Sequence, residues 1–298
     1  MIFESFDKKK IFVHEWLDVE NPKGLVQIVH GMAEHGGRYE PFARYLNENG
    51  YLVVADDHRA HGYTDPDTLG YSDCKNIFFD TVKDEGALTD YYKAKYPTLK
   101  YVIFGFSYGS FLTQCYLAKY GDKVDGAVIA GSNHKKDFEV YLGALVAGMG
   151  KKKKAGKFIE KQSFGSYAKK FEDGEWISAD AAINAAYRAD PFSGFTCSNK
   201  FYADFFKGLK SLYTKKYKAG LKKDLPVLIV SGAQDPVGNM GKGVKKLYRF
   251  YQKAGMTNVQ MTLFEGCRHE FINERQGLES RRKLLLQFLD SVQSGERA

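Results

Sequence analysis

Seven short apolar runs rich in β-forming residues recur along the chain, and helical patterns fill most of the gaps between them. The runs are IFVHEWLDV at 11–19, LVQIVH at 25–30, YLVVAD at 51–56, YVIFGF at 101–106, VDGAVIAG at 124–131, PVLIVSG at 226–232 and VQMTLF at 259–264. Helical spacing covers 39–49, 76–95, 108–120, 243–254 and 274–292. This alternation predicts an α/β protein built on a doubly wound, mostly parallel sheet with helices on both faces. The first strand or two lack an intervening helix, which allows them to run antiparallel.

One interval breaks the rhythm. From 133 to 224 the chain shows no convincing strand, far beyond the dozen or so residues that a parallel crossover needs. It holds a glycine-rich apolar piece at 141–150, four consecutive lysines at 151–154 and the aromatic segment FYADFFKGLKSLY at 201–213. The expected organisation is therefore one sheet domain, 1–132 with 225–298, carrying a mostly helical cap at 133–224.

Charge follows the same division. The net +8 would ordinarily suggest nucleic acid or anionic membrane as a partner, but residues 134–223 hold 19 Lys and Arg against 9 Asp and Glu. The basicity belongs to the cap. No helix-turn-helix or RNA-recognition pattern accompanies it, so nucleic acid is not expected. The start, MIFESFDKKKIF, lacks an apolar signal-peptide core, and no apolar stretch approaches the ~20 residues needed to cross a bilayer, so a cytoplasmic location is expected. Cys74, Cys115, Cys197 and Cys267 are scattered without a C-x-x-C pair, which indicates buried thiols rather than disulfides or zinc.

The fourth run ends in GFSYG at 105–109. In a chain with 30 glycines, about 0.2 chance matches to Gly-x-Ser-x-Gly are expected, so context has to carry the claim. A continuous apolar run before Ser107 reads as a strand buried on both faces. After it, Tyr108, Phe111, Leu112 and Cys115 form one helical stripe, with Gly121 at the position of a C-cap. Ser107 thus sits on a strand-to-helix turn too tight for side chains at 105 and 109, with helix N–H groups aimed at whatever reacts there.

A serine hydroxyl needs an imidazole to take its proton and a carboxylate to orient that imidazole. Reactive groups in open α/β sheets gather at the carboxyl ends of strands. Asp235, in PVLIVSGAQDPVG, and His269, in VQMTLFEGCRHE, both meet that condition. An Asp before Pro is also a common turn residue, and a histidine in a loop is often just a surface group. Oxyanion donors would come from the N–H groups of Tyr108 and of Met32, in the loop VHGMAEHGGRY at 29–39. No cofactor is expected and no metal: His30, His35, His58 and His61 lie in glycine-containing loops without helical i, i+4 placement.

Four blocks, HGMAEHGGRY (30–39), DHRAHGYT (57–64), GFSYG (105–109) and GCRHEFINE (266–274), resemble the monoacylglycerol lipase and lysophospholipase branch of the serine α/β-hydrolases. The resemblance covers most of the chain outside the cap. It implies the α/β-hydrolase fold, Ser107, Asp235 and His269 as a triad, Met32 and Tyr108 as oxyanion donors, and a polar pocket near Glu34 and Arg38 for a leaving alcohol. Glu34 and Arg38 could equally be a local structural pair. Ala60 and Thr64 depart from the glycine and serine usual at those positions.

The implied activity is a serine carboxylester hydrolase cleaving single-chain lipid esters, monoacylglycerol or lysophospholipid, through an acyl-enzyme. The alternative within the fold is a small aromatic or short-chain esterase or a prolyl aminopeptidase; a binding module that kept the fold without catalysis is the third reading. The expected partners are a small-molecule ester or lipid and, through the basic cap, the surface of an anionic membrane.

Overall fold

The computed structural model describes residues 1–134, 148 and 150–295. Its centre is one eight-stranded sheet: β1 (Ile2–Glu4), β2 (Lys10–Trp16), β3 (Gly24–Val29), β4 (Tyr51–Asp56), β5 (Lys100–Phe106), β6 (Gly126–Ala130), β7 (Val227–Gly232) and β8 (Val259–Phe264). The spatial order is β1-β2-β4-β3-β5-β6-β7-β8. β1 and β2 pair antiparallel, as do β2 and β4, and every later pair is parallel. Only the three-residue β1 was not legible as a run; at the sheet's edge it has no buried face to demand one.

Alternate residues of the central strands feed two cores. Tyr101 and Ile103 of β5 face one cluster, Val102, Phe104 and Phe106 the other. The first face is covered by α2 (Ile77–Lys95), α3 (Tyr108–Tyr120) and α8 (Lys242–Lys253), the second by α1 (Glu40–Glu48) and α9 (Leu278–Ser294). Because both faces are covered, β3, β4 and β7 are buried at every position, which is why they read as continuous apolar runs. The last helix begins four residues later than its periodicity suggests, since 274 starts a turn closed by Arg281, whose Nε donates to the Phe271 carbonyl at 2.7 Å.

Two local expectations need correction. The stripe on α3 is not a stripe, because residues 108–117 are buried all round: this helix lies beneath others as well as on the sheet. Gly121 does occupy the C-cap, but with φ −57° it is right-handed and leads into a 3₁₀ turn, so its freedom to adopt positive φ is unused.

Between β6 and β7 the described residues form four helices, α4 (Lys157–Ala168), α5 (Ala181–Ala189), α6 (Asn199–Ser211) and α7 (Lys215–Gly220), and no strand beyond one isolated bridge, Ala155 to Ser198. The apolar piece at 141–150 lies, apart from 148 and 150, outside the described residues. Side-chain caps start three of these helices: Asp180, Ser198 and Thr214 each accept a backbone N–H of the first turn. α6 is not loosely attached. Phe201, Tyr202 and Leu209 join the core of α2 and α3, and Gly208 lies so close to the Phe78 ring that a Cβ there would collide with it.

Candidate active site

Ser107 follows β5 directly and has φ +53°, a left-handed conformation costly for any residue with a side chain. Its N–H donates to the Ala130 carbonyl at 2.9 Å, and its carbonyl accepts from the Ser110 N–H at 2.9 Å, so strand β6 and helix α3 hold the turn from both sides. The flanking glycines are there for space. A Cβ on Gly109 would fall on the Val29 carbonyl oxygen, and one on Gly105 on the Thr113 hydroxyl, both inside 3.0 Å.

The loops after β7 and β8 bring the other two residues in. His269 Nε2 lies 2.8 Å from Ser107 Oγ, and Asp235 Oδ2 lies 3.0 Å from His269 Nδ1. Asp235 is fully buried and anchored by the Ser231 hydroxyl at 2.9 Å and the Val237 N–H at 2.8 Å. The imidazole is packed between two aromatic rings, Phe106 at 4.9 Å and Trp176 at 5.3 Å between centroids. Burial by itself would lower the His269 pKa; the Asp235 carboxylate, with Glu34 and Glu270 nearby, outweighs it and raises the pKa above 6.5.

Ser107 and His269 open into a cavity of about 340 Å³, together with Met32, Glu34, Arg38, Phe106, Trp176, Tyr187, Phe195 and Glu270. In the loop after β3 the N–H of Gly31 donates to Glu34 at 2.5 Å and that of Ala33 to His61 Nε2 at 3.2 Å, which leaves the Met32 N–H between them for another acceptor. Tyr108 opens α3 directly after Ser107, where first-turn N–H groups have no intrahelical acceptor.

Three histidines lie under that loop, and their partners fix their protonation. His30 donates from Nδ1 to the Gly31 carbonyl at 2.8 Å and accepts the His58 N–H at Nε2, 3.0 Å; His61 donates from Nδ1 to the Arg59 carbonyl at 3.0 Å and accepts Ala33 N–H. Both are neutral, with burial the main reason: His30 falls well below 6.5 and His61 to about 3. His58 spends both ring nitrogens as donors, to the His30 carbonyl at 3.1 Å and to Asp56 at 2.9 Å. Against the pull of burial, Asp56 raises its pKa well above 6.5. It is a buried imidazolium stacked on His30 at 3.7 Å.

Glu34 and Arg38 line the cavity and also hold each other. Arg38 donates to Glu34 at 2.5 Å and, in a fork, to both oxygens of Glu270 at 2.8 and 2.9 Å, with Tyr187 packed on the guanidinium at 4.9 Å. Glu34 additionally accepts from Gly31 N–H and the Tyr39 hydroxyl at 2.9 Å. Glu270 was not singled out from the sequence, although it directly follows His269; nor was Trp176, whose segment carries no recognisable pattern. The two departures in the 57–64 block are explained locally. Ala60 takes φ +72°, the conformation for which glycine is usual, and Thr64 accepts the Phe12 N–H at 2.9 Å and donates to the Asp57 carbonyl at 2.5 Å as a serine would.

Comparison with known proteins fits this geometry. The profile of the family described as serine aminopeptidase, S33, matches residues 20–276. The chain belongs to this family of serine α/β-hydrolases, in the monoacylglycerol lipase branch, and is a carboxylic ester hydrolase. It is 27% identical to the monoacylglycerol lipase of Mycolicibacterium smegmatis over 267 residues, 89% of this chain and 88% of that one. A thermostable carboxyl esterase from Bacillus coagulans, solved in complex with glycerol, superposes with TM-score 0.90 at 27% identity over 98% of both chains. A soluble variant of monoglyceride lipase from Saccharomyces cerevisiae shares the fold, with TM-score 0.78 at 22% identity over 98% of this chain and 94% of that one.

Proposed function

We propose that the protein hydrolyses single-chain lipid esters, monoacylglycerols or lysophospholipids, through an acyl-enzyme on Ser107. The observation that carries this reading is the 2.8 Å contact of Ser107 Oγ with His269 Nε2 on the wall of a cavity that is mainly apolar but has Arg38, Glu34 and Glu270 in its lining. His269 takes the hydroxyl proton as Ser107 Oγ bonds to the ester carbonyl carbon. The oxyanion is met by the N–H groups of Met32 and Tyr108. His269 then passes its proton to the departing alcohol oxygen, and the same residue activates the water that releases the fatty acid. Asp235 keeps Nδ1 protonated and balances the imidazolium.

The apolar lining suits an acyl chain, and the relatives named for monoacylglycerol lipase activity favour the same substrate class. Helices α4 to α7 act in this reading as the cap that covers the cavity, and the exposed lysines 151–154 with the exposed Phe158 rest it on anionic membrane. A substrate profile over monoacylglycerols, lysophospholipids, short aryl esters and prolyl amides tests the proposal. The two lipid classes should lead in kcat/KM, and preference for prolyl amides would overturn it.

A further inference from the structure

His14, His35 and Asp57 come from three separate pieces of chain, and the fold turns one ligand atom of each toward a common point, all within 4.8 Å of one another. His14 stands on β2, Asp57 follows β4, and His35 precedes the 3₁₀ turn at Gly36–Tyr39 that ends the Met32 loop. Nearness along the chain pairs His35 with His30; the sheet pairs it with His14 instead.

The hydrogen bonds show what each group lacks. His14 Nε2 lies 3.0 Å from Asp57 Oδ1, so one imidazole proton serves that pair. His35 is committed on the opposite side of its ring, where Nε2 lies 2.8 Å from Asp190 Oδ2. With its proton there, Nδ1 carries a lone pair, and that atom is buried without a hydrogen-bond partner. Among the three, His35 Nδ1 is the acceptor left without a proton, while Asp57 Oδ1 takes the one from His14. Asp57 itself is fully buried and held in place by the Gly36 N–H on Oδ1 and the Tyr63 N–H on Oδ2, each at 2.8 Å. His14 and His35 keep 16% and 14% of their side chains exposed, which gives an ion a route in.

We propose that His14 Nε2, His35 Nδ1 and Asp57 Oδ1 form a binding site for a divalent transition-metal ion, best matched by zinc. Two imidazoles and a carboxylate are a zinc donor set, with a fourth position open to water. Ligand atoms around tetrahedral zinc stand about 3.3 Å apart, and the His14–Asp57 pair is already at 3.0 Å, so His35 is the group that closes in. Asp190 supplies the carboxylate behind a ligating histidine that orients the ring and raises its basicity. On binding, the proton leaves His14 Nε2 and His14 coordinates as the neutral Nδ1–H tautomer. The same arrangement does not recur at Asp56, His58 and Glu85, where both imidazole nitrogens are spent as donors.

Titration of the purified, metal-free protein with cobalt(II) tests the site without reference to ester hydrolysis. The expected result is one ion per chain with the intense visible absorption of four-coordinate cobalt, displaced by zinc. His35→Ala should lower the affinity at least 10-fold; Asp190→Asn, which touches no ligand atom and leaves the packing intact, should lower it about 10- to 100-fold. His269→Ala should bind as the unmodified protein does. Only the weak absorption of six-coordinate aqueous cobalt, or affinity undiminished in Asp190→Asn, or affinity lost in His269→Ala, would overturn the proposal.

Discussion

The Ser107 turn and the outward part of the interval between β6 and β7, around Gly174, are built under opposite constraints. At the turn, the end of β3 and helix α3 crowd so closely that Gly105, against the Thr113 hydroxyl, and Gly109, against the Val29 carbonyl, have no room for a single extra carbon. In the interval, Gly174 has φ +68° and no atom within 4 Å of where its Cβ would stand. The first region fixes its residues by collision; in the second, collision acts only where helices pack inward, as at Gly208 and Gly220, and the outward part around Gly174 is left to charge and exposure. Under the proposed function, chemistry that depends on tenths of an ångström is placed in the first, and contacts with the acyl chain or a membrane surface in the second.

The largest expected effect tests the crowded region directly. Ser107→Ala should lower turnover of an activated ester about 10⁴- to 10⁶-fold, with little change in the thermal midpoint; turnover within tenfold of the unmodified enzyme would remove the acyl-enzyme. The pH profile follows from the same site. The base must be neutral, and the His269 pKa lies above 6.5, so kcat/KM should rise with pH through a midpoint above that value. For stability the sign is opposite: a raised folded-state pKa favours the protonated form, so this contribution is present below 6.5 and lost as pH climbs through the folded value. A limb centred below 6.5 would show that Asp235 does not control the imidazole.

Charge sharpens the comparison next. Arg38→Met strands the carboxylates of Glu34 and Glu270, both nearly fully buried, and should destabilise by about 3–5 kcal/mol in chemical denaturation. Raising the Glu270 pKa, already elevated by burial, is the protein's available relief, so part of the loss should be recovered at lower pH. A cost under about 1 kcal/mol would mean that Arg38 is held for substrate rather than for the fold.

Glycine substitutions then compare the backbones themselves. Gly109→Ala forces a methyl into the Val29 carbonyl and should cost about 3 kcal/mol. Gly174→Ala meets only its own left-handed φ, worth about 1 kcal/mol. Equal losses would erase the distinction between the two regions.

This contrast also explains what could be read from sequence. Seven strands, five helices and the positions of Ser107, Asp235 and His269 at strand ends are legible because burial, complete in the central strands and partial in β2 and β8, and steric exclusion each leave a pattern in residue type. β1 is not, because three residues at an edge bury too little to demand one. Glu270 escaped because its role depends on Arg38, 232 positions away. His14 and Asp57 escaped as a pair for the same reason: their proximity is a property of β2 lying beside β4, and no spacing along the chain records it. The Gly121 C-cap teaches the converse, since a residue can stand where a rule expects it without using the property behind the rule.

The smallest effect belongs to the exposed lysines. Replacing 151–154 with glutamine removes four solvated charges, so unfolding free energy should move by less than about 0.5 kcal/mol, and hydrolysis of a soluble short-chain ester should not change. On vesicles containing anionic lipid the outcome should differ. A lysine near such a surface contributes about 1 kcal/mol, or roughly fivefold in partitioning, and that gain disappears at high salt within a Debye length of screening. With one of the four lysines at the surface, activity on anionic vesicles should fall about fivefold at low ionic strength, and more for each further lysine that reaches it, and the variant and unmodified curves should converge as salt is added. Equal loss on soluble ester and vesicle would show that these lysines act on the cavity and not on a membrane, and the open region would then be shaped by the same close contacts as the Ser107 turn.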